Sequence, residues 1–343
     1  MGEGNQGVGP APGAGVRWGV TLPLDGLPLP AHREVVEGLA AWGFTDVWSA
    51  EVNGADAFTP LALAAAWSPV LRLGTAIVPS ATRGPAVLAM SAAAMAEAAP
   101  GRFALGIGAS SEAIVARWNA APFDQPFRRT RDVLRFVRRA LAGERIDEAF
   151  DTFTVRGFRL ARVPEVPPPL LLAALRPGML RLAGREADGA ITNLLAAGDV
   201  PKVAAELHAE GPGKELVARL FVCPTDDAGY ARTAGRRLLS TYLSVPVYAE
   251  FHRWLGRGPL LEPMWSAWAA GDLRAANEAI PDEVVDELLV HGTPERCRAH
   301  LRRYVEAGIT TPVLALLPTE PAEGGRRVAS LEALAALAPA GRT

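Results

Sequence analysis

Several short apolar runs of this 343-residue sequence end in residues that could do chemistry. Glu51 follows the run Asp46–Ser49, and a carboxyl group can give or take a proton. A Gly- and Ser-containing segment ends another run at Gly108–Ser111, and Arg176-Pro177 follows a third. Ser111 followed by Glu112 suits a helix start, and a helix that opens with a proline such as Pro177 exposes backbone N–H groups that can bind an anion. These residues can act together only if the fold brings the ends of their strands to one place.

The sequence contains no pattern that indicates metal chemistry. The two cysteines, Cys223 and Cys297, lie in apolar surroundings, which is typical of reduced, buried thiols. No CxxC pair occurs, and the five histidines show no HExxH spacing. We therefore expect no metal site.

Composition and charge exclude several classes of protein. The chain is 49% hydrophobic, which predicts a large core, and its net charge of −2 favours no nucleic acid partner. Residues 1–15 are rich in Gly and Pro and lack the apolar stretch of a signal peptide, so we expect a disordered arm before a single domain at 16–343. No apolar stretch is long enough to span a membrane. These features predict a cytoplasmic protein.

Strand-like and helix-like segments alternate along most of the chain. The predicted strands are Arg17–Leu22, a strand ending in Asp46–Ser49, Leu71–Val78, Phe103–Gly108, Leu170–Ala174, Gly189–Leu194, Val217–Cys223 and Pro312–Leu317. The predicted helices are His32–Trp42, Thr59–Trp67, one from Pro85 to before Pro100, Arg131–Leu141, Gly178–Arg185, Asp199–Glu210, Asp226–Leu243, Pro294–Ala307 and one near the C-terminus.

Two stretches interrupt this alternation. Phe150–Leu160 has a period of two around Gly157, which predicts a hairpin before the fifth strand. The aromatic-rich stretch Val245–Ala279 predicts a helical insertion after the seventh strand, which we expect to form part of the roof of a pocket.

Eight strands interleaved with helices predict an α/β protein with a parallel sheet. An open dinucleotide-binding sheet would carry GxGxxG after its first strand, but TLPLDG stands there, and GIGASS at Gly106–Ser111 lacks the third glycine. We therefore predict a (β/α)8 TIM barrel. The active site of such a barrel lies at the C-terminal ends of its strands, where Glu51 and the other strand-end residues would meet.

At these positions the chain resembles the luciferase-like monooxygenase superfamily, and in particular its coenzyme F420-dependent oxidoreductases. The segments that carry the resemblance are LGTAIVPSATRGPAVLAMSAAAMAEAAPGRFALGIGASS, LLLAALRPGMLRLAGREADGAITNLL and AIPDEVVDELLVHGTPERCRAHLRRYVEAGITTPVLAL. Their order along the chain is specific, and the family is a (β/α)8 barrel, which agrees with the strand count.

The resemblance implies where a flat redox cofactor would bind. Members carry a non-prolyl cis peptide in strand three that supports the back of the ring, and the matching bond joins Ala76 to Ile77. The loop after strand four would pass beside the ring, and the start of the helix after strand five would hold the phosphate. Many members have glycine where this chain has Arg176, which either adds a contact to the phosphate or narrows the pocket. The cofactor-binding residues implied in this way are Ala76, Ile77, Gly108, Ala109, Ser110, Ser111, Ala174, Leu175, Arg176 and Pro177.

The resemblance also implies a reaction, which is hydride transfer between F420 and a small organic or peptide natural-product substrate. The reaction would be reduction of a C=C or C=N bond, or oxidation of an alcohol. Glu51 would be its acid–base residue, and the alternative is that Glu51 is a solvated loop carboxylate or a salt-bridge partner. An FMN-dependent monooxygenase is the alternative, and a barrel that binds a flavin without turnover is a second. Small residues in LALAAAW and AVLAMSAAAMAEAA, together with the dimers common in the family, predict a homodimer.

Overall fold

Eight parallel strands close into a barrel in the computed structural model, which describes residues 15–322 and 327–339. The strands are β1 (Gly19–Thr21), β2 (Asp46–Ser49), β3 (Arg72–Thr75), β4 (Phe103–Gly108), β5 (Leu170–Ala173), β6 (Gly189–Asn193), β7 (Glu215–Pro224) and β8 (Thr311–Leu316). Each strand pairs in parallel with the next, and β8 pairs with β1. The predicted (β/α)8 barrel is confirmed.

Helices surround the barrel, and several begin at a proline, whose fixed φ suits a first helical position. They are α1 (His32–Trp42), α2 (Phe58–Trp67), α3 (Pro85–Ala98), α4 (Pro126–Leu141), α5 (Pro177–Glu186), α6 (Val200–Leu207), α7 (Ala228–Leu243), α8 (Pro246–Trp254), α9 (Gly258–Ala269), α10 (Leu273–Glu278), α11 (Asp282–Leu288), α12 (Pro294–Glu306) and α13 (Leu331–Ala336). Within residues 15–322 and 327–339, every helix is too short or too polar to cross a membrane.

Smaller elements complete the described chain. The three 3₁₀ turns are Leu29–Ala31, Ala197–Asp199 and His208–Glu210, and a π-helical segment covers Ala113–Trp118. The short strands are Val78–Pro79 beside β4, Val290–Gly292 beside β7, and the pairs Ile146–Ala149 with Thr154–Phe158 and Glu320–Pro321 with Arg327–Val328.

Alternate residues of the barrel strands face two different environments, because successive side chains of a strand point to opposite faces. Val217 of β7 packs inside the barrel with Trp48, whereas its neighbours Leu216 and Ala218 pack against the surrounding helices. The interior group consists of Trp48, Ala104, Leu171, Ile191, Val217 and Val313. Parallel sheets are buried on both faces, which is why these strands read as nearly continuous apolar runs.

Salt bridges close the N-terminal end of the barrel. Arg72 donates to both carboxylate oxygens of Glu215, at 2.7 and 2.8 Å, and lies 3.4 Å from Asp46. Burial opposes the ionisation of Glu215, but its hydrogen bonds and attraction to Arg72 prevail and lower the pKa of this carboxyl group. Arg17 and Thr311 complete the network. The candidate site residues lie at the opposite, C-terminal end, which is where the active sites of TIM barrels are found.

Two predicted elements were wrong in detail. The third strand does not run without a break from Leu71 to Val78. The backbone kinks after Thr75, and strand structure returns only at Val78–Pro79. The predicted hairpin around Gly157 is shifted, because the chain reverses at Phe150–Phe153, where the Phe150 amide donates to the Phe153 carbonyl at 2.8 Å. Gly157 has φ +66° inside the second strand of this hairpin.

The predicted helical insertion at 245–279 folds as α8, α9 and α10, which pack with α7 and α11 against the barrel. The predicted arm at residues 1–15 lies, apart from residue 15, outside the described residues.

Candidate functional site

The kink after β3 lies at the C-terminal end of the barrel. The Ala76–Ile77 peptide bond is cis, as the resemblance implied. The Ala76 amide donates to the Ser49 carbonyl at 2.6 Å, and the Glu51 amide donates to the Ile77 carbonyl at 3.1 Å. Both hydrogen bonds attach the kink to the end of β2. Ala76 and Ile77 are partly exposed, whereas Thr75 and Val78 on either side are buried.

Two glycines of β4 make room for this kink. A Cβ atom on Gly106 would overlap the backbone carbonyl of Thr75. A Cβ atom on Gly108 would lie 2.8 Å from the Cβ of Ala173 and 3.0 Å from the Ile77 side chain. The kink, Gly108 and the end of β5 are therefore in direct contact and form one apolar wall. We call Ala76, Ile77, Gly108 and Ala173 the kink wall.

The loop after β4 leaves this wall as a tight turn. Ser110 has φ +63°, in the left-handed region that few non-glycine residues adopt. The Ser111 hydroxyl accepts a hydrogen bond of 3.4 Å from the Ile114 amide, at the start of the π-helical segment. Ala109, Ser110 and Ser111 are all partly exposed. The loop therefore lies along the rim of the barrel mouth, next to Gly108.

The segment Ala174–Pro177 joins β5 to the N-terminus of α5. Ala174 is buried, Leu175 and Pro177 are partly exposed, and Arg176 is exposed. No side chain caps the first turn of α5, and Arg176 occupies the position before it. The first N–H groups of a helix lack intrahelical acceptors and carry the positive end of its dipole. This helix start can hold an anion.

Glu51 is held in an ion pair with Arg83. One oxygen of its carboxylate lies 2.6 Å from Nη2 of Arg83, and the other lies 3.3 Å from Nε. Asp56 lies 3.7 Å from the same guanidinium group, which also stacks over the Phe58 ring. Both side chains of the pair keep some exposure, 19% for Glu51 and 24% for Arg83. The acid–base role of Glu51 stays a prediction. In the structure its carboxylate accepts hydrogen bonds from Arg83.

The wall opposite the kink carries polar residues that we did not single out as site residues. Asn193 of β6 donates to the Tyr248 hydroxyl at 3.1 Å, and Arg219 of β7 donates to the Tyr242 hydroxyl at 3.2 Å. The sequence does contain a signal for Arg219, because it interrupts the apolar run Val217–Cys223 with a charge. Which residues it meets depends on the packing of α7 and α8.

The aromatic insertion contributes less to the mouth than we expected. Of its residues, Tyr248 contacts a strand end, whereas Phe251 is buried in the helical shell and Trp265 donates to the Leu243 carbonyl. His252 is fully buried, and burial together with the charge of Arg257 lowers its pKa to about 3. In the described part of the chain, no three His, Cys, Asp or Glu side chains form a group that could hold a metal ion.

The fold and the site define a TIM-barrel protein whose mouth has one apolar wall, the kink wall, and one polar wall. The chain belongs to the luciferase-like monooxygenase family, because the model of that family matches residues 8–311.

Comparisons with individual proteins agree with this family. A Mycobacterium tuberculosis protein, assigned by its name to the coenzyme F420-dependent oxidoreductases, is 28% identical over 334 residues, which cover 88% of this chain and 95% of that protein. The F420-dependent glucose-6-phosphate dehydrogenase of Rhodococcus erythropolis is 36% identical over 259 residues, covering 70% of this chain and 71% of the enzyme. The solved structure of the coenzyme F420-dependent tetrahydromethanopterin reductase from Methanopyrus kandleri has the same fold, with a TM-score of 0.71 and 20% identity over 88% of this chain and 93% of that one.

Proposed function

We propose that this protein is an F420-dependent oxidoreductase that transfers a hydride between the deazaflavin and a small organic or natural-product substrate. The reaction is reduction of a polarised C=C or C=N bond, or oxidation of an alcohol. The names of the two relatives, both described as F420-dependent, support the cofactor. Bound F420 supplies hydride chemistry at the carbon that replaces the flavin nitrogen, and the protein supplies binding, orientation and exclusion of water.

The single observation that carries the proposal is the kink wall. A flat ring needs an apolar face, and this wall exposes Ala76, Ile77 and Ala173 in part, with Gly108 buried against Ile77 and Ala173. The interior of the barrel beneath the wall is filled by apolar side chains, so a bound ring would contact apolar side chains on a second side. The residues present therefore fit a tricyclic cofactor.

The cofactor phosphate is proposed to bind at the start of α5. Pro177 has no N–H, and the amides of Met179 and Leu180 donate to the Arg176 carbonyl, so the Gly178 N–H and the helix dipole are left to attract an anion. The exposed Arg176 side chain can add a charge-assisted hydrogen bond. Ala109, Ser110 and Ser111 would lie beside the ring and the first part of the tail. Glu51 adjoins the kink through its backbone and is proposed to move a proton on the substrate.

Titration of the purified protein with F420, followed by fluorescence, tests the cofactor. We expect quenching at micromolar concentrations and no retention of FMN. Tightly bound yellow flavin would instead support the FMN-dependent monooxygenase. Binding of neither cofactor would refute both assignments.

The role of Arg176 can be measured in the same titration. Arg176→Gln should weaken F420 binding about tenfold if the guanidinium contacts the phosphate. Arg185→Gln is the matched control, because Arg185 lies in the last turn of α5 and pairs with Glu210 at 3.6 Å. Tighter binding by Arg176→Gln would mean that the side chain narrows the pocket.

We also propose that the chain forms a homodimer through α2 and α3. Val87 and Met90 lie one turn apart on α3 and are 49% and 54% exposed, beside many alanines. Small side chains let helices approach closely, and exposed apolar side chains stabilise an interface when they are covered. Light scattering that gave a mass near the 36.2 kDa of one chain would refute the dimer.

A further inference from the structure

A single arginine projects into the barrel from β7. Arg219 lies two residues after Val217, which is part of the interior group, so both side chains point to the same face of the strand. The strand register sets Arg219 level with Asn193 of β6 on one side and with Val313 of β8 on the other. Val313 also belongs to the interior group. Arg219 is therefore a cation on the inner wall of the barrel.

The surroundings of Arg219 provide no counter-charge within the described residues. Its Nη1 donates to the Tyr242 hydroxyl at 3.2 Å, and its guanidinium stacks on the Phe221 ring at 4.6 Å. Its Nε atom is buried and has no acceptor there. Arg72 and Arg257, whose side chains are 12% and 11% exposed, each lie within hydrogen-bond or salt-bridge distance of two carboxylates. Arg219 itself is only partly buried, but a buried N–H group without an acceptor is costly, so we expect an anionic ligand to accept from this Nε.

The neighbours of Arg219 form a convergent set of hydrogen-bonding groups. The hydroxyls of Tyr242 and Tyr248 each accept a hydrogen bond, so the proton of each is free to be donated elsewhere. Burial raises the pKa of Tyr248 above its ordinary value, so this hydroxyl keeps its proton. The rings of the two tyrosines meet edge to face at 5.4 Å, which fixes their relative orientation. Asn193 adds a buried carbonyl oxygen that has no donor among the described residues.

These donors lie across the barrel from the kink wall. In a closed ring of eight strands, β7 is four strands away from β3 in both directions, so Arg219 and Ala76 lie on opposite walls. A cofactor ring against the kink wall would leave the space between it and Arg219 for the substrate.

We propose that Arg219, with Tyr242, Tyr248 and Asn193, forms an anchor for an oxyanion of the substrate, a carboxylate or a phosphate group. The anchor holds the far end of an anionic substrate so that its reactive bond faces the ring at the kink wall. The free carbonyl oxygen of Asn193 accepts a hydrogen bond from a hydroxyl or amide group next to the oxyanion. This inference rests on the proposed function for the location of the cofactor, and it identifies the substrate class as an anionic organic molecule.

Calorimetric titration of the full-length protein with benzoate and with inorganic phosphate tests the anchor and distinguishes the two anions. The titrations use the protein with and without F420. We expect one of the two anions to bind the wild type, and Arg219→Gln to weaken that binding about tenfold to a hundredfold, the range for a charge-assisted hydrogen bond. Arg33→Gln is the matched control, because Arg33 pairs with Glu37 on the exposed face of α1. Its anion affinity should equal that of the wild type.

Two further variants distinguish an anion-binding role of Arg219 from a purely structural one. Arg219→Lys keeps the charge and should retain part of the anion affinity, and Tyr248→Phe should weaken it by removing one hydroxyl donor. These two variants also keep the proposal testable if Arg219→Gln does not fold.

Three results would overturn the anchor. The first is that neither anion binds the wild type, and the second is that the wild type and Arg219→Gln bind the anion equally well. The third is a loss of F420 affinity in Arg219→Gln, because the guanidinium would then face the cofactor. Failure of the wild type to bind F420 would overturn the proposed function. Anion binding that depends on Arg219 would still support the anchor in that case.

Discussion

Gly108 offers a direct test of the kink wall, because a single methyl group at this position would press on two of the other wall residues. The added Cβ of Gly108→Ala would lie 2.8 Å from the Cβ of Ala173 and 3.0 Å from two carbons of Ile77. Non-bonded carbons prefer separations of about 3.5–4.0 Å, so the neighbours must move by about 0.5–1 Å. Ile77 can adjust its side chain, whereas the Cβ of Ala173 is fixed to β5.

Overpacking of this kind costs about 1–3 kcal/mol, and we expect about 2 kcal/mol here because one of the two neighbours can adjust. With an unfolding entropy of about 2.1 cal/mol/K per residue, the whole chain has about 0.7 kcal/mol/K, so Tm should fall by about 3 °C. The F420 affinity should fall about tenfold, because Ile77 is displaced toward the ring. Gly106→Ala should destabilise more, since its Cβ would overlap the backbone of β3 rather than side chains.

Gly198→Ala is the matched control, because a Cβ atom there would meet nothing within 4 Å. Like the other two substitutions, it lowers the conformational entropy of the unfolded chain, but it introduces none of their clashes. Tm is measured by circular dichroism, and F420 affinity by fluorescence titration. If Gly108→Ala were as stable as Gly198→Ala and bound F420 as tightly as the wild type, the conclusion that the kink wall is closely packed around Gly108 would be wrong.

Three further predictions concern other parts of the molecule. Glu51→Gln should lower turnover at least about a hundredfold while F420 affinity is kept, and unchanged turnover would remove Glu51 from the mechanism. Arg72→Met should lower the free energy of unfolding, measured with urea, by about 3–5 kcal/mol, because it leaves Glu215 buried without its partner. Arg33→Met, which breaks an exposed pair, should change this free energy little. Equal effects of these two arginine variants would contradict the buried network. The pKa of His252 is about 3 in the folded protein and about 6.5 in the unfolded chain, so the unfolded chain takes up the proton first as the pH falls. The free energy of unfolding should therefore fall as the pH is lowered from 6.5 to 3, by about 2 kcal/mol at pH 5. His252→Asn should remove this contribution to the pH dependence of stability. An unchanged pH dependence in that variant would contradict the buried, neutral histidine.

The two walls of the mouth suggest a division of labour between the halves of the barrel. One half, formed by β3, β4 and β5, carries the kink wall, and α5 follows β5. The second half carries Asn193 and Arg219, which are joined to the helices of the insertion through Tyr248 and Tyr242. Changes in the insertion can therefore alter the wall around Asn193 and Arg219 without touching the kink wall.

Much of the fold could be predicted because its signals are local. Buried parallel strands read as short apolar runs, and prolines and glycines mark where helices begin and end. This is why α1 was predicted with its observed bounds and why β4 was predicted from Phe103 to Gly108. The hairpin was misplaced because Gly157 was taken as its turn, whereas the observed turn at Phe150–Phe153 packs its two rings against Phe136 of α4. Alternation along the chain contains no information about that contact.

The sequence by itself determined the order of strands and helices, the barrel and the strand ends at which site residues gather. The tertiary structure decided which of these residues meet. Glu51 pairs with Arg83, 32 positions away, because the ends of β2 and β3 are adjacent. Arg219 lies beside Asn193 because the register between β6 and β7 sets them level, and it reaches Tyr242 because α7 packs against the end of β7. Register and helix packing follow from the combined burial of many side chains, so no single segment of sequence specifies them.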